Sequence, residues 1–201
     1  MNHTTAIIII TVIISIAAWQ SRALFERLIF WPPAIKRGQV DRLLTHGFIH
    51  ADGMHLLFNM FTLYFFGRVI EQFYISRFGN LGFVAFYVLA VIVAIIPTYL
   101  THKDNPRYSS LGASGAVSAV LFAFILFAPW ETIYLFAVLP IPAIVFAIAY
   151  VAYSIWADRR GGGTTNHSAH LFGAVFGVVA TIAIEPRLML HFINALLNPS
   201  F

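Results

Sequence analysis

Cysteine is absent from the 201 residues, which removes disulfide staples, thiolate metal sites and thiol nucleophiles together. Any chemistry must come from Ser, His, Asn, Asp or Glu. Charge is scarce as well: Asp, Glu, Lys and Arg make up 10% of the chain, against about a quarter in an ordinary soluble domain. With 60% hydrophobic residues and a mean hydropathy of +0.82, a soluble fold could not hide so much apolar surface. No basic residue precedes the first apolar run, residues 6–19, and no Ala-x-Ala-like cleavage site follows it, so the run reads as a retained helix and not as a cleaved signal. There is no His-Glu-x-x-His, no internal repeat and no low-complexity tail. The net charge of +4 could suggest nucleic acid, but Lys and Arg are scattered singly or in pairs among the connections and read as headgroup anchors.

What is present is a series of apolar runs, each near the length of about 20 residues that carries a helix across a hydrocarbon core of about 30 Å. They place spans near 5–19, 54–74, 81–99, 112–130, 136–156 and 169–184, in one all-α membrane domain covering 1–201. Trp19, Trp31, Trp130 and Trp156 fall near span ends or in connections, where indole prefers the interface. The first connection, residues 20–53, mixes Leu24, Phe25, Leu28 and Trp31 with Arg22, Arg27, Arg37 and Arg42, and reads as an amphipathic element lying in the interface. The fifth, residues 157–168, holds Gly161-Gly162-Gly163 and predicts relative freedom for the helices on either side. Pro140 and Pro142 predict an irregular start to the fifth span.

Polar side chains inside a bilayer are costly, and here they cluster. His50, His55 and Asn59 stand at the start of the second span, Ser114 two residues into the fourth and His170 one residue into the sixth. Even-numbered spans enter from the same face, so these groups share one face and a similar depth. His55 and Asn59, four residues apart, point to the same side of their helix. Ser114 lies in Gly112-Ala113-Ser114-Gly115 at a helix start, whose unpaired N–H groups welcome an anion. Gly173 and Gly177 form a small-xxx-small face that allows the sixth span to approach the fourth closely enough for His170 to reach Ser114. A hydroxyl beside an imidazole, with donors for a tetrahedral oxyanion, is the equipment for acyl transfer. No carboxylate lies within the fourth or sixth span, so a Ser/His dyad is the simpler expectation, with slow turnover.

These motifs resemble those of the rhomboid intramembrane serine proteases. The likeness rests on Gly-x-Ser-Gly at 112–115, Ala-His-x-x-Gly-x-x-x-Gly at 169–177, the His50, His55, Asn59 run, and Gly67 with Glu71 closing the second span. The resemblance implies that Ser114 attacks the scissile carbonyl and that His170 acts as base and then acid. It implies an oxyanion hole from the Ser114 N–H, His55 and Asn59, with His50 bridging the first loop to the second helix. The substrates implied are transmembrane segments of other proteins, cut within the lipid bilayer without cofactor or metal. Gly112, Gly115, Gly173, Gly177, Arg42 and Glu71 are assigned structural roles near the site; Glu71 is expected in an ion pair with Arg68 or a helix-end hydrogen bond. Two positions depart from the family pattern. Asp41-Arg42 stands where Trp-Arg is common, and Ser118 stands where some members place an aromatic ring that holds the histidine.

Other readings are weaker. His46, His50, His55, His167 and His170 near one face could suggest zinc, but no carboxylate is placed as ligand or base. A transporter would show mid-membrane charge or inverted repeats. A non-catalytic relative that binds transmembrane helices would typically lack the serine or the histidine, and both are kept. The resemblance further implies a bacterial inner membrane with the active site on the non-cytoplasmic side. The cations at that end, from Arg22 through Arg160, run against the positive-inside rule.

Overall fold

The structure is a computed structural model that describes residues 2–135, 138–161, 163 and 165–199. In chain order it contains α1 (His3–Gln20), α2 (Arg22–Leu28), α3 (Pro32–Lys36), α4 (Arg42–Thr45), a 3₁₀ turn (His46–Phe48), α5 (Gly53–Phe78), α6 (Gly82–His102) and α7 (Ser114–Phe127). A hairpin of β1 (Thr132–Leu135) and β2 (Leu139–Pro142) follows, then α8 (Ala143–Arg160), α9 (His167–Ile184) and α10 (Arg187–Leu197). Polar caps set several starts: Asn2 accepts from the Thr5 N–H, Asp52 from that of His55, and Asn166 from that of Ala169. Gly79, at φ 73°, ends α5 in a conformation that side chains other than glycine rarely adopt.

The centre of the molecule is α7. Twelve of its residues, Gly115 through Leu126, are buried, and α5, α6 and α9 pack around it. Against α9 the approach is backbone to backbone. A Cβ built on Gly173 would lie 2.0 Å from the Gly115 carbonyl oxygen, and one on Gly177 would lie 2.1 Å from that of Ala119. Only glycine permits this contact. On the other side, α1 leans on α5 where Gly67 leaves room for Thr4. By contrast, α8 buries Ala143, Ala147 and Ser154 alone among its residues.

The outward faces carry large apolar side chains, among them Ile9, Ile13, Leu57, Phe61, Phe65, Leu89 and Leu100. Such a belt would be a liability in water and suits lipid. By length and composition, α1, α6 and α9 can cross a membrane among the described residues. The fourth expected span, 112–130, is shorter than the sequence suggests. At 14 residues, α7 is about 21 Å long, about 9 Å less than the hydrocarbon core.

Other boundaries also differ. Residues 139–142, expected near the beginning of the fifth span, instead form β2, which pairs antiparallel with β1 of the preceding connection, from Thr132–Pro142 to Leu135–Leu139. Prolines at 140 and 142 withhold two helix donors, and the helix starts only after them. Phe136, the expected first residue of that span, and Gly162 of the glycine run lie outside the described residues. The first connection is largely helical, and α10 adds a helix beyond the expected end of the sixth span.

Candidate active site

At one end of the bundle, α5, α7 and α9 all begin, and their first turns surround a hollow of about 640 Å³. Ser114, His170, His55 and Asn59 all line it. His170 Nε2 and Ser114 Oγ stand 2.7 Å apart, within hydrogen-bonding distance, although the residues are 56 positions apart in the chain. The mouth of the hollow is lined by polar loop residues, including Asp52, Ser110, Thr165 and Asn166.

The loop before α7 is held from several directions. Phe30 and Ser110 exchange backbone hydrogen bonds as an isolated bridge, and the Gly112 N–H donates to the His46 carbonyl. Gly112 sits at φ 113°, and a Cβ there would lie 2.7 Å from His55 Cε1, so the His55 ring lies directly against this glycine. No side chain caps the start of α7, so its first N–H groups are left to whatever enters the hollow. Asn59 is buried, and its amide donates to the His55 carbonyl at 2.8 Å. A second amide N–H remains for another acceptor.

His50 is fully buried and its tautomer follows from its partners. The Ala113 N–H donates to Nε2, and Ser15 Oγ, whose own proton goes to the Phe48 carbonyl, accepts from Nδ1. Its ring also meets that of His55 edge-on at 4.9 Å. His50 thus ties α1 to the loop ahead of Ser114 as well as touching the second span. Burial, reinforced by the neighbouring His55 and opposed by Asp52, pushes its pKa down to about 3, so it is neutral. His46 is also buried and is pushed down to about 4 by the same cause.

The remaining expected residues are structural in their contacts. Arg42 is buried and donates to Gln39 Oε1 and to the carbonyls of Glu26 and Ile29, gathering the first connection beneath one guanidinium. Glu71 does not pair with Arg68, which instead donates to the Tyr64 hydroxyl. Its carboxylate accepts from the His3 and Thr4 N–H groups and from Thr4 Oγ1, capping α1 at the end of the molecule opposite the hollow. The otherwise unpaired N–H groups at the start of α1 take the carboxylate in place of the arginine on its own helix. Among the described residues, no three His, Asp or Glu side chains converge as a metal-ligand set.

Two residues were not singled out in the sequence. Asn166 caps α9, accepts from Thr98 Oγ1 on α6 and donates to Ser110 Oγ, joining three elements around the mouth. An asparagine directly before an apolar helical run is a legible start signal. Tyr150 of α8 lines the hollow beside His170, and no local pattern marks it.

A rhomboid domain family model matches residues 37–187. Similar curated proteins include RHOMBOID-like protein 12, mitochondrial, of Arabidopsis thaliana, 34% identical over 161 residues that cover 75% of this chain and 48% of that protein. Rhomboid-like protein 11, chloroplastic, of the same plant is 33% identical and covers 69% and 50%; human presenilin-associated rhomboid-like protein, mitochondrial, is 30% identical and covers 68% and 36%. The chain spans between about a third and half the length of these relatives. Their names place them in mitochondria or chloroplasts, and nothing here supports the bacterial inner membrane that the sequence reading implied. With three quarters of its length under one family model, and with its motifs gathered around one hollow, this chain belongs to the rhomboid family.

Proposed function

We propose that the chain is an intramembrane serine endopeptidase. Residues 1–201 form one domain in which α1, α5, α6, α7, α8 and α9 cross the bilayer, with α2 to α4 in the interface. The observation that carries this reading is the 2.7 Å contact between Ser114 Oγ and His170 Nε2 inside a hollow with a polar mouth. A hydroxyl paired with an imidazole inside a cavity is the arrangement that nucleophilic catalysis needs.

In the proposed reaction, Ser114 Oγ passes its proton to His170 Nε2 as it attacks the carbonyl of a peptide bond in a transmembrane substrate segment. The tetrahedral oxyanion is held by the Ser114 backbone N–H at the uncapped start of α7, with His55 and Asn59 as side-chain donors. His170 then returns the proton to the leaving amine, and water entering through the polar mouth repeats the sequence to release the acyl group. Gly112 lets His55 close beside the serine, Gly115 makes room for Ala94 of α6 and the Ala169 carbonyl of α9, and His50 fixes the preceding loop. Glu71 and Arg42 hold the frame. Since α1 starts beside Glu71, the site opens on the membrane side opposite the N-terminus.

A fluorophosphonate probe tests the assignment. Wild type is expected to label covalently and Ser114→Ala is not. Absence of labelling in folded wild type would instead favour a module that binds transmembrane helices without cutting them.

A further inference from the structure

The imidazole of His170 has one hydrogen-bonded nitrogen, Nε2, at Ser114; among the described residues no protein group bonds to Nδ1. A serine hydrolase triad uses that second nitrogen to fix ring orientation through a carboxylate. Here the orientation must come from ring contacts. His167 meets His170 edge-on at 5.8 Å and an interplanar angle of 71°. Tyr150 lies face to face with it, with centroids 6.0 Å apart and planes 12° from parallel, an offset-stacked pair.

Tyr150 is itself fixed. Its hydroxyl shares a 2.6 Å hydrogen bond with Ser118 Oγ, one turn after Ser114 on α7. Its ring also rests against Phe122 at 5.6 Å and Phe146 at 5.7 Å. The Ser118 hydroxyl thus does indirectly what an aromatic ring at that position could do directly: it anchors a ring supplied by a different helix.

Building on the protease reading, we propose that Tyr150 is a positioning residue for His170, held in place by Ser118, so that the orientation of the general base depends on where α8 stands. The helix that supplies the ring buries few of its residues, and among the described residues the Ser118–Tyr150 bond is its side-chain hydrogen bond to α7.

The test compares steady-state cleavage of a reconstituted transmembrane substrate by Tyr150→Leu, Tyr150→Phe, Ser118→Ala and the Tyr150→Phe/Ser118→Ala pair. A ring displaced by about 1 Å costs on the order of 10²-fold in rate, so Tyr150→Leu is expected to lose about 10- to 100-fold in kcat with KM little changed. Tyr150→Phe keeps the ring and is expected to recover most of that loss. Tyr150→Phe, Ser118→Ala and the double variant remove the same bond, so all three should show the same modest defect. Wild-type kcat in Tyr150→Leu overturns the proposal, as does a Tyr150→Phe as slow as Tyr150→Leu or a loss that multiplies in the double variant. The fluorophosphonate control separates the two failures. Labelled wild type with an indifferent Tyr150 removes this inference alone, whereas unlabelled wild type removes the protease reading and this inference with it.

Discussion

Replacing Gly173 by alanine would set a methyl carbon 2.0 Å from the carbonyl oxygen of Gly115. Carbon and oxygen do not approach closer than about 3 Å without strain, so α9 and α7 must part by about 1 Å. Neither atom can swing aside, because both belong to helix backbone. Overpacking of this kind costs about 1–3 kcal/mol, and it falls three residues from His170 and one from Ser114. Parting the helices by about 1 Å stretches the 2.7 Å contact between the proposed base and nucleophile beyond hydrogen-bonding range. A displacement of that size costs on the order of 10²-fold in rate. Gly177→Ala offers the internal comparison. Its clash, 2.1 Å from the Ala119 carbonyl oxygen, is equally severe but lies one helical turn deeper. Both variants should unfold at lower temperature in detergent, by similar amounts. In cleavage of a transmembrane substrate at a temperature where both are folded, Gly173→Ala should lose the larger share of kcat. Wild-type thermal stability in Gly173→Ala would refute the backbone-to-backbone packing. Equal kcat losses in the two variants would refute the link from that packing to the site.

Other expectations concern the frame. Glu71→Gln removes the carboxylate that accepts from His3 and Thr4, at a cost of about 1–3 kcal/mol. It should lower the unfolding temperature while leaving cleavage per folded molecule nearly intact, because Glu71 lies about 18 Å along α5 from Asn59. Acid should also destabilise the fold. His46 and His50 titrate near 4 and 3 in the folded chain, below the ordinary histidine value of 6.5. Between those limits the unfolded chain binds more protons, so stability is complete above about pH 6.5 and declines as pH falls toward 4. Thermal melts across that window check the sign, and His50→Asn should make the decline shallower.

Much of this organisation was legible in the sequence because long-range order followed from simple periodicity. Apolar runs with one sharp polar cluster put His55, Asn59, Ser114 and His170 at the starts of alternate helices, and the glycines at 173 and 177 announced a close approach. The rest depends on contacts that no local pattern encodes. The hairpin of β1 and β2 is built from residues as apolar as the spans around it, and only the paired prolines hint that helix is excluded there. Helix α10 is short, and it gains its place by packing: Trp130 donates to the Ala195 carbonyl, and His191 meets that of Phe127. Tyr150 looks like any core aromatic of a membrane helix. Its relation to Ser118 and His170 arises only when α8 is laid beside α7 and α9. The empty aromatic position at 118 was the one available clue that a ring had to come from elsewhere.

The proposed reaction requires the serine on α7 and the histidine on α9 to perform peptide hydrolysis within the bilayer. The most direct measurement is cleavage of a transmembrane substrate in proteoliposomes, with the cut mapped by mass spectrometry, for wild type, Ser114→Ala and His170→Ala. Wild type is expected to make a single cut in or beside the membrane segment, and neither variant to make any. Undiminished cleavage by a folded Ser114→Ala protein would contradict that requirement.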